Sequence, residues 1–391
     1  MKLLNLGESL EVLIDHRGKT PKKLGADFTD NGIPVASAIL VKHGVLDLSD
    51  ARYVSEQTYH EWMKVPVRKG DVLLTSEAPL GRVALVQSDE PLVLGQRLYG
   101  LRGRSGVLDS RYLYYALQTD FVLSDLLGRS TGSTVFGIRQ SALRKVLIPA
   151  PSFDEQRAIA EVLGALDDKI AANTRLGATA ADLMIARAHS GDTLCRLGDV
   201  ASRAKKSINP EGLGAAQVDH FSLPAHDDGQ APEVVPADSI KSNKLSIEQS
   251  SVLLSKLNPR IPRIWDVVGL SGRPSLSSTE FIVLHSDHAS SSVLWAVLSH
   301  PNFTSEMKGM VAGTSGSHQR VRPDDVMGLE IVDPRSLSNN IHGVITALGR
   351  TVAHVRSENA SLSKTRDALL PLLMSGKVTV KDAESVAEGV A

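Results

Sequence analysis

Basic and amide side chains gather in the turn-rich stretches of this 391-residue chain, where their chemistry suits an anionic ligand. "HRGKTPKK" carries Arg17, Lys19, Lys22 and Lys23, and "TSEAPLGR" carries Thr75, Ser76 and Arg82 around a tight turn. Gln96 and Arg97 follow a glycine. Later, "SKLNPRIPR" supplies Lys256, Asn258, Arg260 and Arg263, and "SGRPS" supplies Ser271 and Arg273. "SHQRVR" supplies His318, Gln319, Arg320 and Arg322 where the earlier "TVFGIR" ends in Arg139. Lys, Arg and small hydroxyls bind backbone phosphates, while Arg, Lys, Asn and Gln also read base edges. Singly, each residue is equally well a solvated surface charge. As clusters on corresponding loops, they favour contact with DNA.

Other chemistries lack their residues. There is no Gly-x-x-x-x-Gly-Lys phosphate loop. An amino-methyltransferase needs an Asn/Asp-Pro-Pro-aromatic loop, and the nearest stretch, Asn258-Pro259-Arg260-Ile261, does not match. His285, Asp287 and His288 have short metal-like spacing, as do His220, His226, Asp227 and Asp228. Neither set offers clear third and fourth ligands, so solvated loops are expected, with no metal and no catalytic residue. The lone Cys195 allows no internal disulfide and no cysteine cluster, and reads as a buried apolar residue.

Composition sets the frame. Hydrophobic residues at 42% and charged ones at 22% fit a globular chain of two to three domains. No long apolar run spans a membrane and the N-terminus does not read as a signal peptide, so a cytoplasmic location is expected. The balance of 43 basic and 44 acidic side chains argues mildly against a nucleic-acid binder unless the basic groups share a face. Aromatic content of 4% disfavours a base-stacking platform.

The elements that must position these residues come in two copies. "TGSTVFGIRQSALRKVLIPAP" (Thr131 to Pro151) aligns without gaps on "TSGSHQRVRPDDVMGLEIVDP" (Thr314 to Pro334), an offset of 183. Ile159, Val162, Leu163 and Leu166 then match Ile341, Val344, Ile345 and Leu348, an offset of 182. "LGES" at Leu6 is echoed by "LGDV" at Leu197. Within each half, "VLLTS", "GRVALVQ", "SVLLSKL", "RIWDVV" and "EFIVLHSD" read as strands. Ser110 to Gly128 and Ser291 to Gly309 read as helices in matching places.

Each half ends in a long helix. Pro149 and Pro151 forbid helix upstream of the first, and Ser152 or Asp154 can cap it. Steps of four and three pick out Ile159, Leu163, Leu166 and Ile170, then in the second helix Ile341, Ile345, Leu348, Val352, Val355, Asn359, Leu362, Arg366, Leu369 and Leu373. That is a heptad seam, predicting that the helices pair antiparallel rather than each packing only on its own lobe. Asn173 and Asn359 fall on the seams, where a polar residue fixes register. About 35 helical residues make a rod of roughly 50 Å, a ruler between two similar but non-identical lobes. Such lobes suit two DNA half-sites about one turn, roughly 34 Å, apart. The expected fold class is therefore α/β (α+β lobes) in a pseudo-two-fold tandem repeat, separated by two long antiparallel helices forming a coiled coil.

The block "STGSTVFGIRQSALRKVLIPAPSFDEQRAIAEVLGALDDKI" resembles the central region of type I restriction-modification specificity (S, HsdS) subunits. So do "LLNLGE", "DVLLTSEAPLGRVALV", "LGQRLYGLR", "LNPRIPRIW", "STEFIVL" and "LLPLLMSGKV". The resemblance implies target-recognition domains at 1–150 and 191–334, conserved helices at 151–190 and 335–380, and a disordered tail at 381–391. Each domain would read one half of a bipartite site in double-stranded DNA, with the helices setting the spacer. It also implies two adenine-N6 methylase subunits and motor-nuclease subunits as partners. S-adenosylmethionine and ATP belong to those partners, and this chain takes no cofactor and does no chemistry. Glu155, Asp167 and Asp168 face a methylase subunit or simply keep the rod soluble. The second helix block departs from the pattern, with Asn339-Asn340 where the family has Glu-Gln. The rival readings are a two-lobed protein-binding scaffold that does not touch DNA, or the recognition part of a self-contained restriction-methylation enzyme.

Overall fold

The computed structural model describes residues 2–42, 44–132, 135–310 and 319–389. The chain forms two compact units, Met1–Asp167 with Lys364–Ala391, and Asp168–Ser363. His318 and the start of the second repeat block, at Thr314, lie outside the described residues.

The first unit is built on a four-stranded antiparallel sheet in the order Leu10–Asp15, Leu98–Gly103, Val72–Thr75, Val83–Leu85. Val72–Thr75 is buried at every position, which is why its sequence is a continuous apolar run rather than an alternation. The second unit repeats the sheet as Ser202–Arg203, Phe281–His285, Ser251–Ser255, Ile264–Val267. The registers correspond: Thr75 faces Leu98 as Ser255 faces Phe281, and Leu74 faces Val83 as Leu254 faces Ile264. Each unit also pairs its opening strand with a late one, Lys2–Asn5 with Leu147–Ala150 and Leu194–Arg196 with Glu330–Val332. Cys195 lies in the latter pair, half-buried against the core.

Beside these sheets the units differ. The first adds a three-stranded sheet of Ile33–Ala36, Arg52–Val54 and Val93–Leu94 over a core containing Trp62. The second adds a five-stranded sheet that includes Gln217–Phe221 and Ser275–Ser277. His220 therefore sits half-buried in a strand, and His226 is half-buried near Trp265, so neither is the solvated loop residue expected. Among the described residues, no group of three or more His, Cys, Asp or Glu side chains is arranged to hold a metal ion.

Each expected lobe helix is broken into two. Ser110–Ala116 is followed by Asp120–Gly128, capped by Thr119, and Ser291–Leu298 by Pro301–Gly309. A fresh cap or a proline at the first turn restarts the helix on a new axis.

The long helices run Phe153–Ala188 and Asn339–Ser375. Ser152 Oγ accepts from Glu155 N at 3.3 Å, and Ser338 Oγ does the same for Ile341 N, also at 3.3 Å. Gln156, 1% exposed, accepts from Asp109 N and donates to the Val107 and Pro151 carbonyls, which ties the first helix to its lobe. Asn339 and Asn340, by contrast, are exposed.

Most of the heptad seam is buried. Ile159, Leu163, Leu166, Ile345, Val352, Val355 and Leu362 are buried, while Ile170, Ile341 and Leu348 are half-buried. Within the second unit, Asn173 meets Asn359 and Gly177 approaches Val355, so the segments run antiparallel. Within the first, Arg366 Nη1 donates to Asp167 Oδ1 at 2.7 Å. The helices also pack on their lobes: Ala180, Met184 and Ile345 share a core with Leu294, Val326 and Ile331. Pairing and lobe packing are thus both present. The tail expected to be disordered instead forms a helix, Val380–Glu388. A capping box between Thr379 and Asp382 starts it and the buried Ala383 anchors it.

Candidate nucleic-acid interface

At one end of each central sheet, three backbone segments converge in the same way. In the first unit the hairpin after Thr75 turns through Ala78, which is left-handed at φ 53°, into Pro79. Thr75 N donates to Arg82 O, Ser76 N donates to Arg97 O, and Ile138 N donates to Ser76 O. In the second unit, Asn258 adopts φ 50° before Pro259. Ser255 N donates to Arg263 O, Lys256 N to Glu280 O, and Val321 N to Lys256 O. Glu77 bridges Gly137 as Leu257 bridges Arg320. Arg139 and Arg322 then stand at the N-caps of matching short helices, Gln140–Leu143 and Pro323–Met327, both exposed.

The shared backbone carries different charges. In the first unit Arg97 Nε pairs with Glu77 Oε1 at 3.1 Å. The position matching Arg97 in the second unit is Glu280, and it pairs with Arg320, whose two guanidinium nitrogens lie 2.9 Å from its two oxygens. The Arg320 guanidinium holds the Glu280 carboxyl below its ordinary range, and Glu280 raises the Arg320 pKa in return.

Several expected contacts are used inside the fold. Thr75 is fully buried; its hydroxyl donates to Pro79 O at 2.6 Å and accepts from Arg82 N at 2.8 Å. Ser76 is 1% exposed. Burial removes both from the set able to meet a ligand, and the turn also consumes the Thr75 hydroxyl. Arg17 forks onto both oxygens of Asp15, donates to Ile138 O, and lies 4.3 Å from the Tyr99 ring centre. Arg263 is bidentate to Asp227, whose pKa it depresses. Asp219 receives both Arg273 Nε, at 2.8 Å, and the Ser271 hydroxyl. Lys19 donates to Trp62 O and Lys23 to Gly18 O.

What stays on the surface is gathered. Lys19, Lys22, Gln96 and Arg97 line one cleft of about 680 Å³ with Phe28 and Arg52. Arg82 is exposed on a neighbouring hollow, its Nη1 3.4 Å from Val41 O. In the second unit Lys256, Asn258, Arg260, Gln319, Arg320 and Arg322 share the junction, with Arg260 and Arg322 exposed. Glu77 and Glu280, being acidic, fall outside the pattern of basic side chains. Aligning "TSEAP" on "SKLNP", which the prolines invite, would have drawn attention to the junction.

Residues 1–179 match the model of the type I restriction modification DNA specificity domain. The chain is 34% identical over 155 residues to the type I restriction enzyme MjaIX specificity subunit of Methanocaldococcus jannaschii, covering 39% of this chain and 35% of that protein. It is 26% identical over 150 residues to the MjaVIII specificity subunit of the same organism, covering 37% and 35%. The matched stretch thus spans about a third of the length of these curated relatives. In fold, the whole chain resembles the crystal structure of a type I restriction-modification S subunit from M. genitalium. The TM-score is 0.61 at 17% identity, with 95% of each chain covered. Among the described residues, no helix is long and apolar enough to cross a membrane.

Proposed function

We propose that this chain is the DNA sequence-specificity subunit of a type I restriction-modification complex. Each lobe reads one half of a bipartite, asymmetric site in double-stranded DNA. The observation that carries the reading is the duplicated junction: one backbone scaffold, built twice, presenting different polar side chains in each copy. A common frame with divergent side chains is what reading two different half-sites requires, since base edges are distinguished by donor and acceptor pattern. The paired helices set the spacing between half-sites and carry the docking faces for two adenine-N6 methylase subunits, with motor-nuclease subunits joining them. Chemistry, S-adenosylmethionine and ATP reside on those partners, and the assembly works in the cytoplasm.

A gel-shift assay tests this with the full chain and its cognate methylase subunit on duplex pools. The expected result is retention of one bipartite sequence over the pool, with a supershift when methylase is added. Absence of any duplex binding with methylase present refutes the reading.

A further inference from the structure

We infer that Glu77 and Glu280 are specificity determinants that act by occupying the arginines of the interface. The inference rests on the proposed function. At the junction of each unit one arginine is paired with a carboxylate, through Nε at Arg97 and through two nitrogens at Arg320, yet the two units build the pair from different positions. In the first unit Glu77 comes from the hairpin and Arg97 precedes the strand. In the second unit Glu280 precedes the strand and Arg320 precedes the short helix. The arrangement is therefore a property of the site in both lobes rather than of one loop sequence.

Both pairs are open to solvent. Side-chain exposure is 53% for Arg97 and 42% for Glu77, and 48% for Arg320 and 28% for Glu280. Exposed pairs of this kind contribute little to stability, so a ligand can displace the carboxylate. A guanidinium fork binds a phosphate or the O6/N7 edge of guanine with the geometry it uses for a carboxylate. A phosphate approaching Arg320 must therefore displace a bound carboxylate, and one approaching Arg97 or Arg320 must sit beside it. A guanine edge carries no net charge and is repelled less. The two glutamates weaken sequence-independent backbone contact more than base contact. The balance of 43 basic and 44 acidic side chains fits a protein that suppresses the backbone contribution, which dominates non-specific binding.

The experiment compares wild type, E77Q, E280Q and the combinations E77Q/R97M and E280Q/R320M as full-length chains with the methylase subunit. Each is titrated onto a random-sequence duplex and onto its selected site between 50 and 200 mM salt. E77Q and E280Q are expected to tighten random-duplex binding and steepen the log–log salt slope by about 0.9 each, so their advantage is roughly three- to fourfold larger at the low-salt end. The arginine-to-methionine combinations should lose that gain, and the ratio of site to random affinity should fall in E77Q and E280Q alone. Unchanged random-duplex affinity and slope in both glutamine variants overturns the inference while leaving the proposed function standing. So does a gain that survives loss of the arginine, or weakened site binding alone, which would make the glutamates base readers. If no protein in the set binds duplex, the inference and the proposed function both fall.

Discussion

The seam asparagines offer a direct test of how the paired helices hold register. Asn173, 6% exposed, donates from Nδ2 to Glu358 Oε2 at 2.6 Å and to Asn359 Oδ1 at 3.0 Å. Asn359 returns longer bonds, 3.3 Å to Ile170 O and 3.2 Å to Thr174 Oγ1. In N173L the charge-assisted bond is lost, about 1.5–3 kcal/mol, together with a neutral one of about 1 kcal/mol. A buried leucine recovers about 1.5 kcal/mol at the low end of its transfer range. The net expectation is destabilisation by about 2 kcal/mol. Glu358 keeps Lys169 at 3.4 Å, which limits the loss. N359L breaks the two long bonds and the 3.0 Å bond from Asn173 but leaves Asn173 bonded to Glu358, so it should cost less than N173L, about 1 kcal/mol. In the double variant the orphaned acceptor of Asn359 is gone. The two changes should therefore couple, the pair costing about 1 kcal/mol less than the sum. Urea titration followed by tryptophan fluorescence reports on this unit through Trp265 and Trp295 once Trp62 of the first unit is replaced by Phe. Hydrogen exchange over 168–188 and 339–363 reads the helices directly. A neutral or stabilising N173L, or strict additivity in the cycle, would refute the account of the asparagine layer.

Four further outcomes follow from particular contacts. Tyr115, 1% exposed, donates to Asp167 Oδ2 at 2.5 Å while Arg366 holds the other oxygen; Y115F should cost about 1.5–3 kcal/mol in chemical denaturation, and a neutral result would discount the bond. A Cβ at Gly349 would overlap the Ser292 side chain, so G349A should destabilise the second unit by about 1–3 kcal/mol, measured by thermal unfolding. Arg335 forks onto Asp333 and holds its carboxyl below the ordinary 3.8. That stabilisation is present in full above 3.8 and is lost as pH falls through the depressed value, so the wild-type minus D333N stability difference should shrink on acidification; a pH-independent difference would contradict the pairing. Inserting one heptad into each long helix should lengthen the spacer between half-sites, as read by methylation-site mapping, and an unchanged spacer would separate the helices from spacing.

The heptad count and the internal duplication are properties of residue order, and both are legible in one dimension. A seam recurs every three or four residues because a helix brings those positions to one side regardless of what it meets. Strands such as Val72–Thr75 and Phe281–His285 announce themselves through runs of apolar residues for the same local reason. Even the start of the first long helix is local: a serine, three residues before a glutamate, after prolines.

Which charged residues remain available to a ligand was a different kind of question. Arg17, Arg263 and Arg273 look like Arg139, Arg260 and Arg322 in sequence, yet the first three are bound to aspartates. Asp227 and Asp219 come to Arg263 and Arg273 from 36 and 54 residues away. Thr75 and Ser76 read as surface hydroxyls on a turn until the hairpin folds over them and Arg97 and Ile138 close the far side. The partner of Arg17 is only two residues away, but for Arg263, Arg273, Thr75 and Ser76 ion pairing and burial are set by groups distant along the chain, which no local pattern encodes. Residue order determined that this protein has two similar lobes, each followed by a heptad helix. Only the tertiary structure decided which side chains each copy leaves exposed, because that depends on what else the fold brings within about 3 Å of them.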